Sequence, residues 1–404
     1  MKKMIGIAIF IFAFIILLTG VSNGVFKADK TSTDVVKSNT EFSFTLFSWL
    51  NEEEREQNVF ISPFSIATAL SMTLQGAGTT TKADLMKSLN YNGRELQKIN
   101  EGYQYLLDHL NNTDKQIVLN ISNSIWIREG MKIKPDFLKV NKAVFKASLA
   151  ELDFSKETAV NEINKWIAKS TNNKITKMID PPIPADVVMY LINAIYFKGE
   201  WTEKFNKADT FNSKFHSGGG ATKAVMMMSK KGEIEYGAKD SFKVVRLPYG
   251  KGKTSMYCVL PAENIAINDF IKTLDAAKWE EIKNSVSKVK NVILNLPRFK
   301  IEYGIKNLND SLIALGMGKA FSSAADFSGI SDEKLCISKV LHKAVIEVNE
   351  AGSEAAGATV VEMTRNSAPD RHSFIANRPF LFFITDDVTG TVLFMGKLYD
   401  CQKY

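Results

Sequence analysis

From Gly352 to Thr359 the chain reads G-S-E-A-A-G-A-T, a run of small residues broken only by Glu354. It follows Val345–Asn349, where Ile346 and Val348 alternate with polar neighbours as in a half-buried strand. It precedes a polar stretch, Thr364 to Asp370, that puts Arg365 and Asn366 where a loop tip would be. Two glycines make a helix costly, and a flexible Gly/Ala linker would need no order in its charges. There is such an order. In an extended chain alternate side chains point to opposite faces. Glu354 and Glu362 fall on one face, while Ser353, Ala355, Gly357, Thr359, Val361 and Met363 fall on the other without a charge. A segment that reads as an exposed loop thus carries the pattern of a strand with one buried face, and the fold has to offer it a place to pair.

The chain has 404 residues, 45% hydrophobic and 24% charged, enough for one large domain or two or three small ones. No repeat, low-complexity tract or linker divides it, and Gly218-Gly-Gly220 is a local turn, so residues 25–404 are expected to form a single domain. Residues 1–24 have the form of a signal peptide: Lys2 and Lys3, an apolar core from Met4 to Leu18, then Ser22 and Gly24 before a cut at Val25. The core is short for a membrane span. Secretion is the expectation, with no integral membrane segment; a retained anchor is the alternative. A net charge of +7 is spread out, with no aromatic-plus-basic motif, which argues against a nucleic-acid partner.

Cys258, Cys336 and Cys401 do not make a disulfide framework, although one bridge with an odd thiol stays open. Cys258 lies in an apolar strand-like run and reads as core filling, whereas Cys401, near the chain end, could be exposed. Acceptor motifs for N-glycosylation begin at Asn111, Asn120 and Asn309, with Asn120 inside an alternating strand pattern.

Taken in order, Glu41–Glu54 predicts an amphipathic helix with Phe42, Leu46, Trp49 and Leu50 on one face. Asn58–Ser65 predicts a short strand entering a second helix at Pro63. Thr81-x-x-Asp84 reads as the cap of a third helix, and Leu96, Ile99, Tyr103, Leu106 and Leu110 mark a fourth. Alternation from Ile117 to Ile127 predicts a long strand. Helical patterns follow at Asp136–Ser148 and Thr158–Ser170, then a central apolar strand at Val187–Phe197. The second half brings strands near Val244–Leu247, Thr254–Leu260, Val292–Leu296, Phe299–Tyr303 and Val392–Leu398, with helices at Ile267–Trp279 and Ile305–Leu315. Helices crowd the first half and strands the second, which suits an α+β fold.

Several of these blocks resemble one family. Glu350–Thr359, E-A-G-S-E-A-A-G-A-T, is similar to the reactive-loop hinge of the serpins, the serine-protease-inhibitor superfamily, and Phe374–Ile384 resembles the signature that follows the loop. Asn58–Ala69, Leu191–Trp201 and Ile337–Val345 resemble three further conserved blocks, so the likeness spans nearly all of residues 25–404. It implies three β-sheets wrapped by eight or nine helices, with an exposed C-terminal reactive loop at about residues 350–373. The hinge would comprise Glu350, Gly352, Ser353, Glu354, Ala355, Ala356, Gly357, Ala358 and Thr359. Ser62, Ser65, Asn193 and His342 match the family's polar cluster beneath the central sheet, where strands part to admit another. Heparin-responsive serpins carry basic residues on the helix matching Leu96–Leu110; only Lys98 and His109 lie there, so activation by heparin through it is not expected.

The implied activity is a secreted, monomeric suicide-substrate inhibitor of a trypsin-like serine protease, needing no metal or cofactor. Family spacing puts the scissile residue sixteen positions beyond Glu350, at Asn366 before Ser367. Arg365 is one residue short of that, but an acidic specificity pocket rewards Arg. Arg365–Asn366 is therefore the preferred bond, and Asn366–Ser367, for an asparagine-selective protease, the alternative. A non-inhibitory carrier, chaperone or storage protein on the same fold is the rival reading. Such members commonly place bulky, charged or Pro residues in the hinge. An enzyme is not expected: none of His109, His216, His342 and His372 adjoins a nucleophile motif, and no metal-ligand spacing is present.

Overall fold

The computed structural model describes residues 30–112, 114–353 and 372–401. It opens with α1 (Lys30–Glu53), which starts well ahead of Glu41 because Val35, Ser38 and Asn39 already face the core. Its buried stripe continues through Phe42, Leu46, Phe47 and Leu50, and Trp49 falls off that stripe, 44% exposed. After β1 (Val59–Ile61) comes α2 (Pro63–Leu74), buried on every side, with Pro63 in the first turn where a missing N–H costs nothing. In α3 (Thr79–Ser88) the expected cap at Thr81 is a correction. The helix begins two residues earlier, and Thr81 Oγ1 instead accepts the Asp326 N–H at 2.9 Å. Then follow α4 (Leu96–Leu110), β2 (Ile117–Arg128), α5 (Pro135–Phe145), β3 (Ser148–Leu152), α6 (Glu157–Ser170) and β4 (Met189–Glu200).

The second half runs β5 (Phe211–His216), the Gly218–Gly220 turn, β6 (Thr222–Lys239), β7 (Phe242–Tyr249) and β8 (Thr254–Pro261). The single helix expected over Ile267–Trp279 is two, α7 (Ile267–Lys272) and α8 (Ala276–Asn284), because the Asp275 carboxylate accepts the Lys278 N–H at 2.7 Å and caps a fresh start. Next are β9 (Ser287–Pro297), β10 (Phe299–Asn307) and α9 (Asn309–Leu312). The helix expected from Ile305 is delayed because β10 keeps pairing with its neighbour as far as Asn307 opposite Leu341. The chain then forms β11 (Lys339–Asn349), β12 (Gly352–Ser353), β13 (Ser373–Ile375), β14 (Phe380–Asp386) and β15 (Val392–Leu398).

Among the described residues the strands form two ladders. One has six strands in the order β10-β11-β12-β4-β2-β3, and the other has nine, with β6 near its middle. Two of the three expected sheets are joined because β6 is long. Its first half pairs with β5 and β9, its second half with β7 and the start of β9, and the register shifts between Gly232 and Ile234. The buried strand β14 binds the layers together. Phe383 packs on Trp279 of α8 at 4.8 Å between ring centroids, and Phe382 faces Phe60 at 5.6 Å and Phe299 of the six-stranded sheet at 5.2 Å. A smaller apolar cluster lies between α6 and the six-stranded sheet, where Ile163 and Ile167 join Tyr190, Ile192 and Leu341.

Candidate functional site: a parted sheet with the hinge at its mouth

Strand β4 is held on one side by β2 along its whole length, from Ile117 opposite Gly199 to Ile127 opposite Met189. Its other side is different. There β11 runs parallel to it from Lys339 opposite Tyr190 to Lys343 opposite Ala194, and the ladder stops. It resumes only at the far end, where β12 enters between the two strands, antiparallel to both. Gly352 lies opposite Glu200 and Asn349, and Ser353 opposite Gly199 and Val348. Between these points the β4–β11 ladder is interrupted, and a cavity of about 150 Å³ lies there, lined by Ile195, Tyr196 and Phe197 of β4, Lys343, Val345 and Glu347 of β11, Lys300 and Glu302 of β10, and Lys174 and Ile175.

At the closed end of this seam sits the polar cluster. His342 lies opposite Asn193, one step before the ladder ends, and is fully buried. Its Nδ1 is 2.7 Å from Asn193 Oδ1, and its Nε2 is 3.2 Å from the Ser62 backbone nitrogen. An acceptor facing one ring nitrogen and an N–H facing the other select the neutral tautomer protonated on Nδ1. Burial lowers the imidazole pKa to about 3, in line with that assignment. Asn193 Nδ2 donates to Ser65 Oγ and, at 2.7 Å, to Asn123 Oδ1. Ser62 Oγ donates to the Leu393 carbonyl at 2.6 Å. The four expected residues meet, and Asn123 joins them. Its position was signalled in the sequence, since it falls on the parity of Ile121 and Ile125 where an apolar residue belongs.

The open end is held by the turn before β12. Glu350 is 2% exposed; its carboxylate accepts from Arg298 Nε at 2.8 and 2.9 Å and from Thr210 Oγ1 at 2.5 Å. Burial pushes that carboxyl upward in pKa, but the Arg298 and Thr210 hydrogen bonds outweigh it and hold the group below its usual range. Trp201 donates Nε1–H to the Asn349 carbonyl and its backbone N–H to Ala351, each at 2.9 Å, and Phe205 N–H reaches the Glu350 carbonyl at 3.0 Å. Gly352 has φ +151°, and a Cβ there would overlap the Gly199 carbonyl oxygen. Ser353 is 1% exposed with its Oγ 2.7 Å from Tyr249 Oη, so its inward parity is the observed one.

The remaining expected hinge residues, Glu354–Thr359, and the bait residues Arg365, Asn366 and Ser367 lie outside the described residues, as does the 1–24 leader. Asn111 is exposed at the end of α4, while Asn120 is half-buried in β2. Asn309 is engaged on both sides, donating to the Ser338 carbonyl at 2.7 Å and accepting the Val340 N–H at 3.0 Å. On α4, Lys98 pairs with Glu101 at 2.8 Å and His109 with Asp386 at 3.1 Å. All three cysteines are free, and Cys401, whose place near the chain end left exposure open, is buried against the Arg298 carbonyl. Among the described residues no cluster of His, Cys, Asp or Glu could hold a metal, and no helix is long and apolar enough to cross a membrane.

Residues 37–401 match the family described as Serpin (serine protease inhibitor). Human Serpin B8 is 37% identical over 90% of this chain and 98% of its own length. The native-state structure of tengpin, a thermophilic serpin, superposes with a TM-score of 0.83 at 33% identity, covering 93% of this chain and 95% of that one. Human thyroxine-binding globulin in its ligand complex gives 0.84 at 28% identity, covering 92% and 100%. A match of this extent on a shared fold makes the chain a member of the serpin family, a family of protease inhibitors and not of catalysts.

Proposed function

We propose that this serpin is a secreted suicide-substrate inhibitor of trypsin-like serine proteases. The observation that carries the reading is the seat of Gly352 and Ser353 between β4 and β11, at the mouth of a gap leading on between the same strands. The residues that follow are small and bear no charge on the parity of Ser353, so a strand continuing from it can enter. The protease serine oxygen attacks the Arg365 carbonyl, the Arg365–Asn366 bond breaks, and the new amine leaves with a proton. An ester then joins Arg365 to the enzyme. The freed hinge continues between β4 and β11 and carries the tethered enzyme along before water can cleave the ester. Each ladder hydrogen bond contributes a net of roughly 0.5–1.5 kcal/mol, so a dozen residues supply on the order of 10 kcal/mol before side-chain burial.

The test is incubation with trypsin followed by denaturing electrophoresis and mass spectrometry. A band at the summed mass less the released C-terminal peptide supports inhibition, and that peptide, beginning at Asn366 or at Ser367, identifies the bond. Clean turnover by a panel of serine proteases, with no complex, rejects inhibition. It favours the second reading, a carrier, toward which the likeness to thyroxine-binding globulin points. Secretion and a cut before Val25 are tested by the N-terminal mass of the protein recovered from culture medium. The sequons at Asn111, Asn120 and Asn309 are tested by the mass shift on enzymatic deglycosylation.

A further inference from the structure

Tyr249 closes β7 with its ring fully buried. The ring stacks on Trp201 at 4.4 Å and meets Phe197 edge-on at 5.1 Å, so aromatic contacts on two sides fix where its hydroxyl can lie. That hydroxyl faces Ser353 Oγ at 2.7 Å. Trp201 also holds the Asn349 and Ala351 carbonyls. One aromatic block therefore grips both the turn that leads into β12 and the last side chain of β12.

Register is the difficulty for a strand built like this hinge. A slip of one residue sends every side chain to the opposite face, and Gly-rich strands specify their register weakly. Ala355, Ala356, Gly357 and Ala358 fit either way, yet a slip would turn Glu354 and Glu362 toward the core. Two features at the mouth resist it. Only a residue without a Cβ fits opposite the Gly199 carbonyl, which Gly352 satisfies and which Ala351 or Ser353 would not. The second is the Tyr249–Ser353 hydroxyl pair, which meets only the correct parity. Building on the insertion reading above, we infer that Tyr249 is a positioning residue that sets the register in which the hinge enters the sheet.

The experiment uses Tyr249→Phe, Ser353→Ala, the double variant and Ser353→Thr in the full chain. Each is titrated against trypsin, with inhibitor consumed per protease and the rate of encounter read separately, and each is melted before and after loop cleavage. Losing one net hydrogen bond at the branch between insertion and hydrolysis should raise the ratio of hydrolysis to insertion, which is consumption per protease minus one, roughly threefold to tenfold in either single variant. The encounter rate should not change, the double variant should be no worse than either single one, and Ser353→Thr, which keeps the hydroxyl, should behave as the parent. A Tyr249 that only supports the core would lower the uncleaved melting midpoint and leave consumption unchanged. That result, or additive losses in the double variant, overturns the inference. Should Tyr249→Phe not fold, Ser353→Ala carries the test from the end of a two-residue strand. Should the parent form no complex with trypsin, the inhibitor reading fails separately. The register is then read from melting: a smaller rise on cleavage for Ser353→Ala than for the parent supports the pin, and equal rises, or none, overturn it.

Discussion

Arg298 Nη2 lies 2.6 Å from Glu350 Oε1, and the two side chains are only 7% and 3% exposed. Arg298 stands between the end of β9 and the start of β10, where the chain passes from one ladder to the other. The pair thus anchors the base of the hinge to the junction of both sheets. Removing one partner of a buried pair leaves a charge without compensation, at roughly 3–5 kcal/mol. Glu350→Lys, which also sets two cations face to face, should lower the urea midpoint markedly. Reversing the pair, Arg298→Glu with Glu350→Lys, should recover part of the loss. A denaturation midpoint for Glu350→Lys equal to the parent's would refute this role.

On the proposed mechanism, Ser353→Arg should replace inhibition by plain cleavage. The parity that carries Ser353 inward onto Tyr249 would force a long cation into a site with no carboxylate partner, and an uncompensated buried charge costs several kcal/mol. The uncleaved protein, in which Ser353 is already buried, should melt at a lower midpoint while keeping most of its circular dichroism, and it should be cut by trypsin without forming a complex. Undiminished inhibition would show that the inward face of the hinge is not what enters the sheet.

Acid should weaken the seam through His342. The ring is held neutral in the fold with a pKa lowered to about 3 by burial, against an ordinary value of 6.5. The unfolded chain therefore binds a proton that the folded chain refuses. The stability linked to this residue is complete above about pH 6.5 and is lost progressively as pH falls from there toward 3, by at most about 1.4 kcal/mol per pH unit. His342→Gln, which can still accept from Ser62 and donate to Asn193, should melt with a shallower dependence on pH between 7.5 and 5. Parallel curves for the two proteins would remove His342 from the acid response.

Cleavage within residues 354–371 should raise thermal stability. Nicking a surface loop ordinarily does nothing or weakens a protein, but the proposed insertion would let the freed segment pair with both β4 and β11. At roughly 2–4 °C per kcal/mol for a domain of about 200 residues, and less for a larger one, the midpoint should rise by at least ten degrees or so. Melting curves before and after limited proteolysis decide it, and a fall or no change rejects insertion.

How far the sequence could be read follows from the range of the interactions. The long alternation of β2, the period of α4 and the apolar run of β4 are local patterns and survived folding nearly unchanged. The parity of Ser353 was legible for the same reason. Tyr249 was not, since its role comes from a side chain 104 positions away and its setting, Pro248-Tyr-Gly250, looks like a turn. Arg298 and Glu350, 52 positions apart, are equally silent in one dimension. The β5–β6 hairpin escaped notice because β5 is short and β6, rich in Lys and Met, alternates weakly, leaving only the glycine turn between them visible. Thr81 and Trp49 show the converse, a sound local rule displaced by tertiary contacts, with Asp326 taking the hydroxyl and Phe47 the buried place.

The unfinished ladder between β4 and β11 changes what durability means for such a chain. If the hinge inserts there as proposed, the intact chain has a deeper minimum within reach, and its working form persists because the way there is slow. Lifetime is then set by the height of a barrier, and a melting temperature measured on the intact protein should depend on heating rate. Substitutions that tighten His342, Asn193 and Ser62 against one another would lengthen shelf life at the cost of trapping speed, and those that loosen them would do the reverse. Selection on such a mechanism would act on a timer.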